Sequence, residues 1–379
     1  MLTGWITGTL LGSSALGDDN TKRIDRTEEI PYSISLRHDA STRWWKDDQG
    51  TSLKLSAQIQ ARYILNARHN VPAGTVTNGF TARRTKIKAT GRLDNPRIQY
   101  TFGTAFSRST GVMVTEDVYA RFQLDEEWML KVGKFRPSIS REQIISSKYQ
   151  LGAERSLLSA AFGQSYNTGI ALMYRSDRLR ATASAMDLTT SFAGDQIWEY
   201  ILRTEFLVSG SRSEVSDFTS FREDEPTLMI GGGIGYLDMN PLAPASANAS
   251  TINWSLDLTA EFGGSNLFIA VLGSRTETTG SPNVDRFGLL VQGGVFVTDH
   301  TELFARFSHG DDDAGKSLNL VEVGLNYYIA QHKAKFTLDA GYSVDEVTTT
   351  WRSAGAGWRP DTAGEEGQFV MRAQMQFLF

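Results

Sequence analysis

From about residue 52 to the end of the chain, apolar and polar residues alternate with a period of two. In Ser52 to Leu65, the residues Leu53, Leu55, Ala57, Ile59, Ala61, Tyr63 and Leu65 fall on one face, and Lys54, Ser56, Gln58, Gln60 and Arg62 on the other. Successive side chains of a β-strand point to opposite sides, so this run is one strand with an apolar and a polar face. It exceeds the roughly five or six residues usual in soluble sheets and suits a tilted membrane strand of about nine to eleven.

The pattern returns along the chain. In 79–94, Thr85, Ile87, Ala89, Gly91 and Leu93 oppose Arg84, Lys86, Lys88, Thr90 and Arg92. Further apolar sets begin at Ile98, Val118, Trp128, Tyr166, Leu179, Trp198, Leu228, Ile252, Leu267, Phe287, Leu303, Val321 and Phe336. The last set is Phe369, Met371, Ala373, Met375, Phe377 and Phe379. About sixteen strands follow, the even number expected of a single-chain bacterial barrel. Tight turns at Asp125-Glu126, Ser176-Asp177, Gly263-Gly264, Asp299 and Ala330-Gln331 alternate with longer links at 67–78, 109–114, 136–164, 189–195, 238–249, 276–284, 310–316 and 346–365. Short turns at one rim and long loops at the other are the membrane-barrel arrangement, which 209–225 breaks by being long on the short-turn side. Soluble sandwiches and propellers also alternate, but with shorter strands whose apolar faces form a core. Aromatic residues here recur near strand ends on the apolar face, as in interfacial girdles. The expected fold is all-β: a transmembrane antiparallel β-barrel over 52–379, placed in the outer membrane and bathed in its lipid.

Composition changes the picture little. Hydrophobic residues make up 40% and charged residues 21%. These values fit a barrel in which only one face of each strand meets lipid. Cysteine is absent, which removes disulfide scaffolds and thiolate chemistry. The net charge of −5 argues against a nucleic-acid partner. Five histidines show no metal spacing on one strand face, and no G-x-S-x-G occurs, so no enzyme, catalytic residue, metal site or cofactor is expected. Asp311-Asp312-Asp313 reads as a solvated loop tip. At the start, residues 1–17 end in small residues like a signal peptide but lack a basic n-region, and 18–51 reads as a polar N-terminal or periplasmic segment.

If the apolar face meets lipid, the polar face lines the lumen. Its early strands carry Lys54, Arg62, Arg84, Lys86, Lys88, Arg92, Arg97, Arg121 and Lys131 against Asp117 and Glu127. Its later strands set Asp257, Glu261, Glu302, Glu322 and Asp339 against Arg286, Arg306 and Lys335. One wall should be basic and the opposite wall acidic or balanced. Rows of Arg and Lys in a pore with low-dielectric walls favour anions and phosphate. The alternative for any single residue is pairing with an acid to brace the barrel. The run Arg84-Lys86-Lys88, with no acid among its members, favours the functional role. Arg203 and Arg372 join the list of lumenal candidates, and Arg136 and Arg141 come from the link 136–164, which is too long for a simple connection and should fold inward as a constriction loop.

Several stretches resemble the phosphate-selective porin O/P family: FTARRTKIKATGRL (80–93), VYARFQLDEEWMLKVGKFRPSISREQIISSKYQLGAERSL (118–157), FGLLVQGGVFVTDHTELFARF (287–307), VEVGLNYYIAQHKAKFTLDAGY (321–342) and the terminal QMQFLF. The resemblance implies a sixteen-stranded barrel, usually a homotrimer, with an inward loop and a preference for phosphate or polyphosphate. It also implies that Arg83 and Arg84 match a paired basic motif, although alternation places Arg83 on the outward face, and that Gly133 to Ser138 enters the constriction loop. The aromatic closing strand resembles the signal read by the outer-membrane assembly machinery, and it should pair with Leu53 to Leu65 and complete the basic wall. Three functions remain open: an anion-preferring channel for phosphate or other small anions, a general or sugar-type porin, and a structural or adhesin-like barrel with a plugged lumen.

Overall fold

A computed structural model describes residues 42–46, 51–68, 76–93, 97–108, 110–188, 196–240, 248–313, 315, 317–361 and 365–379. The signal-like segment 1–17, and 18–51 apart from 42–46 and residue 51, lie outside these residues, as do most of the links 67–78, 189–195 and 238–249. A short strand β1 (Thr42–Lys46) pairs with the start of β2 (Ser52–Ala67).

After β2 the chain runs as an antiparallel meander. Its strands are β3 (Val76–Arg92), β4 (Ile98–Phe106), β5 (Met113–Gln123), β6 (Trp128–Phe135), β7 (Asn167–Arg175), β8 (Leu179–Asp187), β9 (Gln196–Ser209) and β10 (Thr227–Asn240). It continues through β11 (Ala249–Glu261), β12 (Ser265–Thr278), β13 (Val284–Phe296), β14 (Thr301–Asp312), β15 (Leu318–Ala330), β16 (Ala334–Ser343) and β17 (Gln368–Leu378). Strand β17 then pairs with β2, with Arg62 opposite Gln374, so the sixteen strands β2 to β17 close on themselves. Closure removes every edge, the condition for placing sheet in lipid where unpaired backbone groups find no water. No described helix is long and apolar enough to cross a membrane.

The alternation maps onto the two faces as expected. In β2, Ile59 is exposed on the outside while Gln58, Gln60 and Arg62 are buried inside. Trp128 meets Tyr174 and Trp198 stacks near Tyr200 on the outer surface.

Arg83 departs from expectation. The pairing of β2 with β3 slips between Gln60 and Ala61, which face Arg84 and Ala82. Two residues of β3 therefore stand against one of β2, a β-bulge, and the outward phase moves from Phe80 and Ala82 to Thr85 and Ile87. Arg83 thus turns inward beside Arg84 and bonds Glu154 rather than sitting on the outer face. A second slip between Gly103 and Thr104 of β4 brings Glu116 inward beside Asp117.

The lumen is not evenly open. The link 136–164 folds into it as expected, with two short helices, α1 (Arg141–Ile144) and α2 (Leu157–Ala161), and with Ile139, Leu157 and Leu158 buried. The link 209–225 also turns inward from the opposite rim and buries Phe218, Thr219 and Ser220. The link between β16 and β17 buries Val347, Trp351 and Trp358. The three segments share one apolar cluster with the inner faces of β12 to β15 and β17, including Phe268, Leu290, Phe304, Leu320 and Val370. Apolar groups leave water here, so the hydrophobic effect operates inside the barrel as in a soluble core. Two fully buried tryptophans contribute about 4–6 kcal/mol each by area, an upper figure.

Glycine makes this filling possible. A Cβ on Gly233 would stand 2.6 Å from the carbonyl oxygen of Ile139, and one on Gly310 would stand 2.9 Å from the Trp351 ring. The bare backbone of β10 and β14 lets the inward segments lie directly on the wall.

Candidate ion pathway

With the β12 to β17 side packed, the remaining space lies against the opposite wall. It has a volume of about 990 Å³ and is bounded by β3 to β6, the constriction loop and Tyr166 at the foot of β7. Nine cations line it: Arg83, Arg84, Lys86, Lys88, Arg108, Arg121, Lys131, Arg136 and Arg155. Three carboxylates do so: Glu116, Asp117 and Glu154.

All three acids are engaged. Lys86 binds Glu116 at 2.5 Å and Lys88 binds Asp117 at 3.0 Å. The acid-free run Arg84-Lys86-Lys88 is therefore neutralised from outside its own strand. Glu154 is the hub of the constriction loop. It accepts from Arg83 at 2.6 Å, from Arg62 at 3.2 Å and from Arg84. Burial alone would raise its pKa, but these three guanidinium groups hold it well below the usual carboxylate range.

Other cations in the space have no carboxylate partner among the described residues. Arg121 stands directly opposite Lys131 on neighbouring strands, an arrangement that costs stability in a sheet. Arg121 donates to the Tyr119 hydroxyl at 3.0 Å, while the Lys131 ammonium lies 4.1 Å from the Tyr119 ring centre and 3.9 Å from that of Phe135. Cation–π contact holds such a charge without removing it. Arg136 stacks on Tyr166 at 4.4 Å. Arg155 donates only to the backbone carbonyls of Glu142 and Ile145, at 2.9 and 2.6 Å, and burial pushes it down to about 10. Burial, then the nearby Glu116, raises the Tyr166 hydroxyl.

Of the residues expected from sequence, Arg84, Lys86, Lys88, Arg121, Lys131 and Arg136 meet at this space. Arg62, Arg141, Arg203, Arg306 and Arg372 do not line it. Arg62 bridges Glu154 to Gln374, and Arg141 pairs with Glu205 at 3.3 Å. Arg203 forks onto Asp257 and also reaches Glu205. Arg306 binds Glu322 at 2.5 Å and the carbonyl of Glu154 at 3.0 Å. Arg372 binds Asp339 at 2.6 Å and Glu322 as well. These five are buried braces that tie wall to wall or loop to wall, a role in which bidentate guanidinium geometry excels. The closing strand joins Arg62 through Gln374, but its own Arg372 is spent on two acids, so it adds no bare charge to the basic wall. Arg83 and Glu116 escaped the alternation reading because each sits at a bulge. The phase change between Phe80 and Thr85 was the available signal for Arg83.

Residues 54–205 match the family model for phosphate-selective porin O and P. The chain is an outer-membrane porin. The likeness read at 80–93 and 118–157 falls inside that match, and those at 287–307 and 321–342 fall beyond it. Among solved structures, the porin superposes on an anion-selective porin from Comamonas acidovorans with a TM-score of 0.65 at 10% identity, covering 87% of this chain and 100% of that one. The loop L8 deletion mutant of OmpT from Vibrio cholerae gives 0.60 at 13%, covering 87% and 100%. The in-vitro folded trimer form of OmpT from Vibrio cholerae gives 0.57 at 13%, covering 86% and 100%. At these identities the likeness is one of fold. No curated protein matches the porin's sequence.

Proposed function

We propose that the porin is a passive, anion-preferring diffusion channel whose best single substrate is phosphate or polyphosphate. The observation that carries this reading is the pathway lined by nine cations and three engaged carboxylates, with Arg121, Lys131 and Arg136 left without an acid. Weak, sequential sites of this kind admit an anion and release it again. The matched family and the anion-selective neighbour point the same way. We further propose a homotrimer, by analogy with the trimeric OmpT. The test is a planar bilayer under a KCl gradient. Chloride should permeate more readily than potassium, and added phosphate should lower the chloride current. Cation preference rejects the reading. Absence of current would favour a plugged structural barrel, the reading helped by the apolar filling along β12 to β17. Weak selectivity with no phosphate effect would favour a general or sugar-type porin.

A further inference from the structure

Beside the main pathway, a bay of about 250 Å³ opens between the wall strands β6 to β9 and the Pro137 to Ile144 part of the constriction loop. Lys131, Arg136, Ser138 and Ile144 border both spaces, so the bay communicates with the pathway. Its lining differs in kind. Its apolar lining comprises Phe135, Ala171 and Ile201, already buried in the wall, with the half-buried Met173 and, from the loop, Ile144, which is 48% exposed. Met173 and Ile144 still meet water here, so an apolar body that covered them would be favoured.

The charges of the bay point to the sign of that cover. Glu205 is its one carboxylate and is taken by Arg203 at 3.1 Å and Arg141 at 3.3 Å. Arg175 and Arg180 are left over. They face each other directly across β7 and β8, both are exposed, and neither forms an ion pair among the described residues, because Glu205, opposite Arg180 on β9, is held by Arg203 and Arg141. Like charges in direct opposition destabilise a sheet pair, and a bound anion would relieve them. They lie beside the short turn after β7, so they stand at the turn-side mouth of the bay.

We propose that this bay binds a small organic anion with an apolar body, of the class of aromatic monocarboxylates. Arg175 and Arg180 would take the carboxylate, and Met173 and Ile144 would cover the ring. Phosphate and chloride are hydrated on all sides and gain nothing from those apolar groups. A ring gains by leaving water, and thioether contact with its edge adds to this. The inference rests on the anion-preferring reading above and extends it to a second class of solute.

The test compares benzoate with acetate, which carry the same charge and differ in the ring. In planar bilayers, benzoate added on the short-turn side should halve the chloride current at a concentration about tenfold lower than acetate, the ratio expected for burying part of a ring. Met173→Gln should bring the two concentrations together while leaving block by phosphate unchanged. The double variant Arg175→Gln with Arg180→Gln should weaken both carboxylates together. Calorimetric titration of the detergent-folded porin with benzoate and acetate gives the same comparison without requiring current. Equal behaviour of benzoate and acetate in wild type, by block and by calorimetry, overturns the proposal. So does an unchanged ratio in Met173→Gln. Reversal potentials measured in the same bilayers separate the two readings, because loss of anion preference rejects the channel assignment whereas preserved preference with equal carboxylates rejects the bay alone.

Discussion

Replacing Glu154 by Gln should shift the selectivity of the channel toward anions and loosen the tip of its constriction loop. The side chain is 6% exposed and is the shared acceptor of Arg62, Arg83 and Arg84. Gln keeps the shape and removes one negative charge. Breaking a buried ion pair by removing one partner costs about 3–5 kcal/mol, because the other charges stay buried without compensation. The closed barrel does not depend on this carboxylate, so the cost falls on the seating of the loop. The loop base should hold: Glu142 still accepts from the Ser156 amide at 2.7 Å and from its hydroxyl at 2.6 Å, and Leu157 and Leu158 stay in the apolar cluster. The electrical effect can be sized. At an effective dielectric of about 20 and a separation of about 10 Å, one charge shifts the energy of a passing ion by about 1.7 kcal/mol. Screening over one Debye length, about 10 Å at 0.1 M salt, lowers this to about 0.6 kcal/mol, about threefold for each ion and, because anion and cation shift in opposite directions, about eightfold in their permeability ratio. The assay is the reversal potential across a bilayer under a tenfold KCl gradient, compared between wild type and E154Q at 0.1 M on the dilute side. An unchanged or lower anion preference, with open-state current noise equal to wild type, would refute the claim that Glu154 is both loop clamp and the pathway's central counter-charge.

Four further outcomes follow from the same contacts. Glu154 has a depressed pKa in the fold, so its clamp contributes fully above the unfolded value of about 4.3 and is lost as pH falls through the lower folded value; wild-type current noise should rise toward that of E154Q only well below pH 4. Arg372→Gln leaves Asp339 and Glu322 each short of a partner, and should cost about 3–5 kcal/mol in urea unfolding of the detergent-folded barrel. Gly233→Ala pushes a methyl toward the Ile139 backbone, so it should destabilise by about 1–3 kcal/mol and change single-channel conductance by shifting the loop. Trp351→Ala empties the centre of the lumenal cluster, and should cost about 3–5 kcal/mol in the same unfolding assay while increasing conductance.

The sequence by itself determined the barrel. A period of two, carried through sixteen strands, leaves one way to place apolar faces in lipid and polar faces inside, and closure of β17 on β2 follows from having no edge to spare. It also determined which link enters the lumen first, because 136–164 is too long to be a simple turn. It placed Arg84, Lys86, Lys88, Arg121 and Lys131 on the inner face correctly. Alternation says only which way a side chain points, however, and not what it meets on arrival. The partners of these cations come from elsewhere: Glu116 through a bulge in the neighbouring pair, and Glu154 from a loop seventy residues on. Pairing energy depends on approach to within a few ångströms and on burial, which are properties of the packed lumen. The same holds for the inward turns at 209–225 and between β16 and β17. Their apolar residues carry no strand period, and a bare wall such as Gly310 of β14, on which Trp351 lies, shows its use only in the packed lumen. Tertiary packing therefore decided that Arg62, Arg141, Arg203, Arg306 and Arg372 are braces, and that the remaining space lies along one side of the barrel, where Arg121, Lys131 and Arg136 have no carboxylate partner among the described residues.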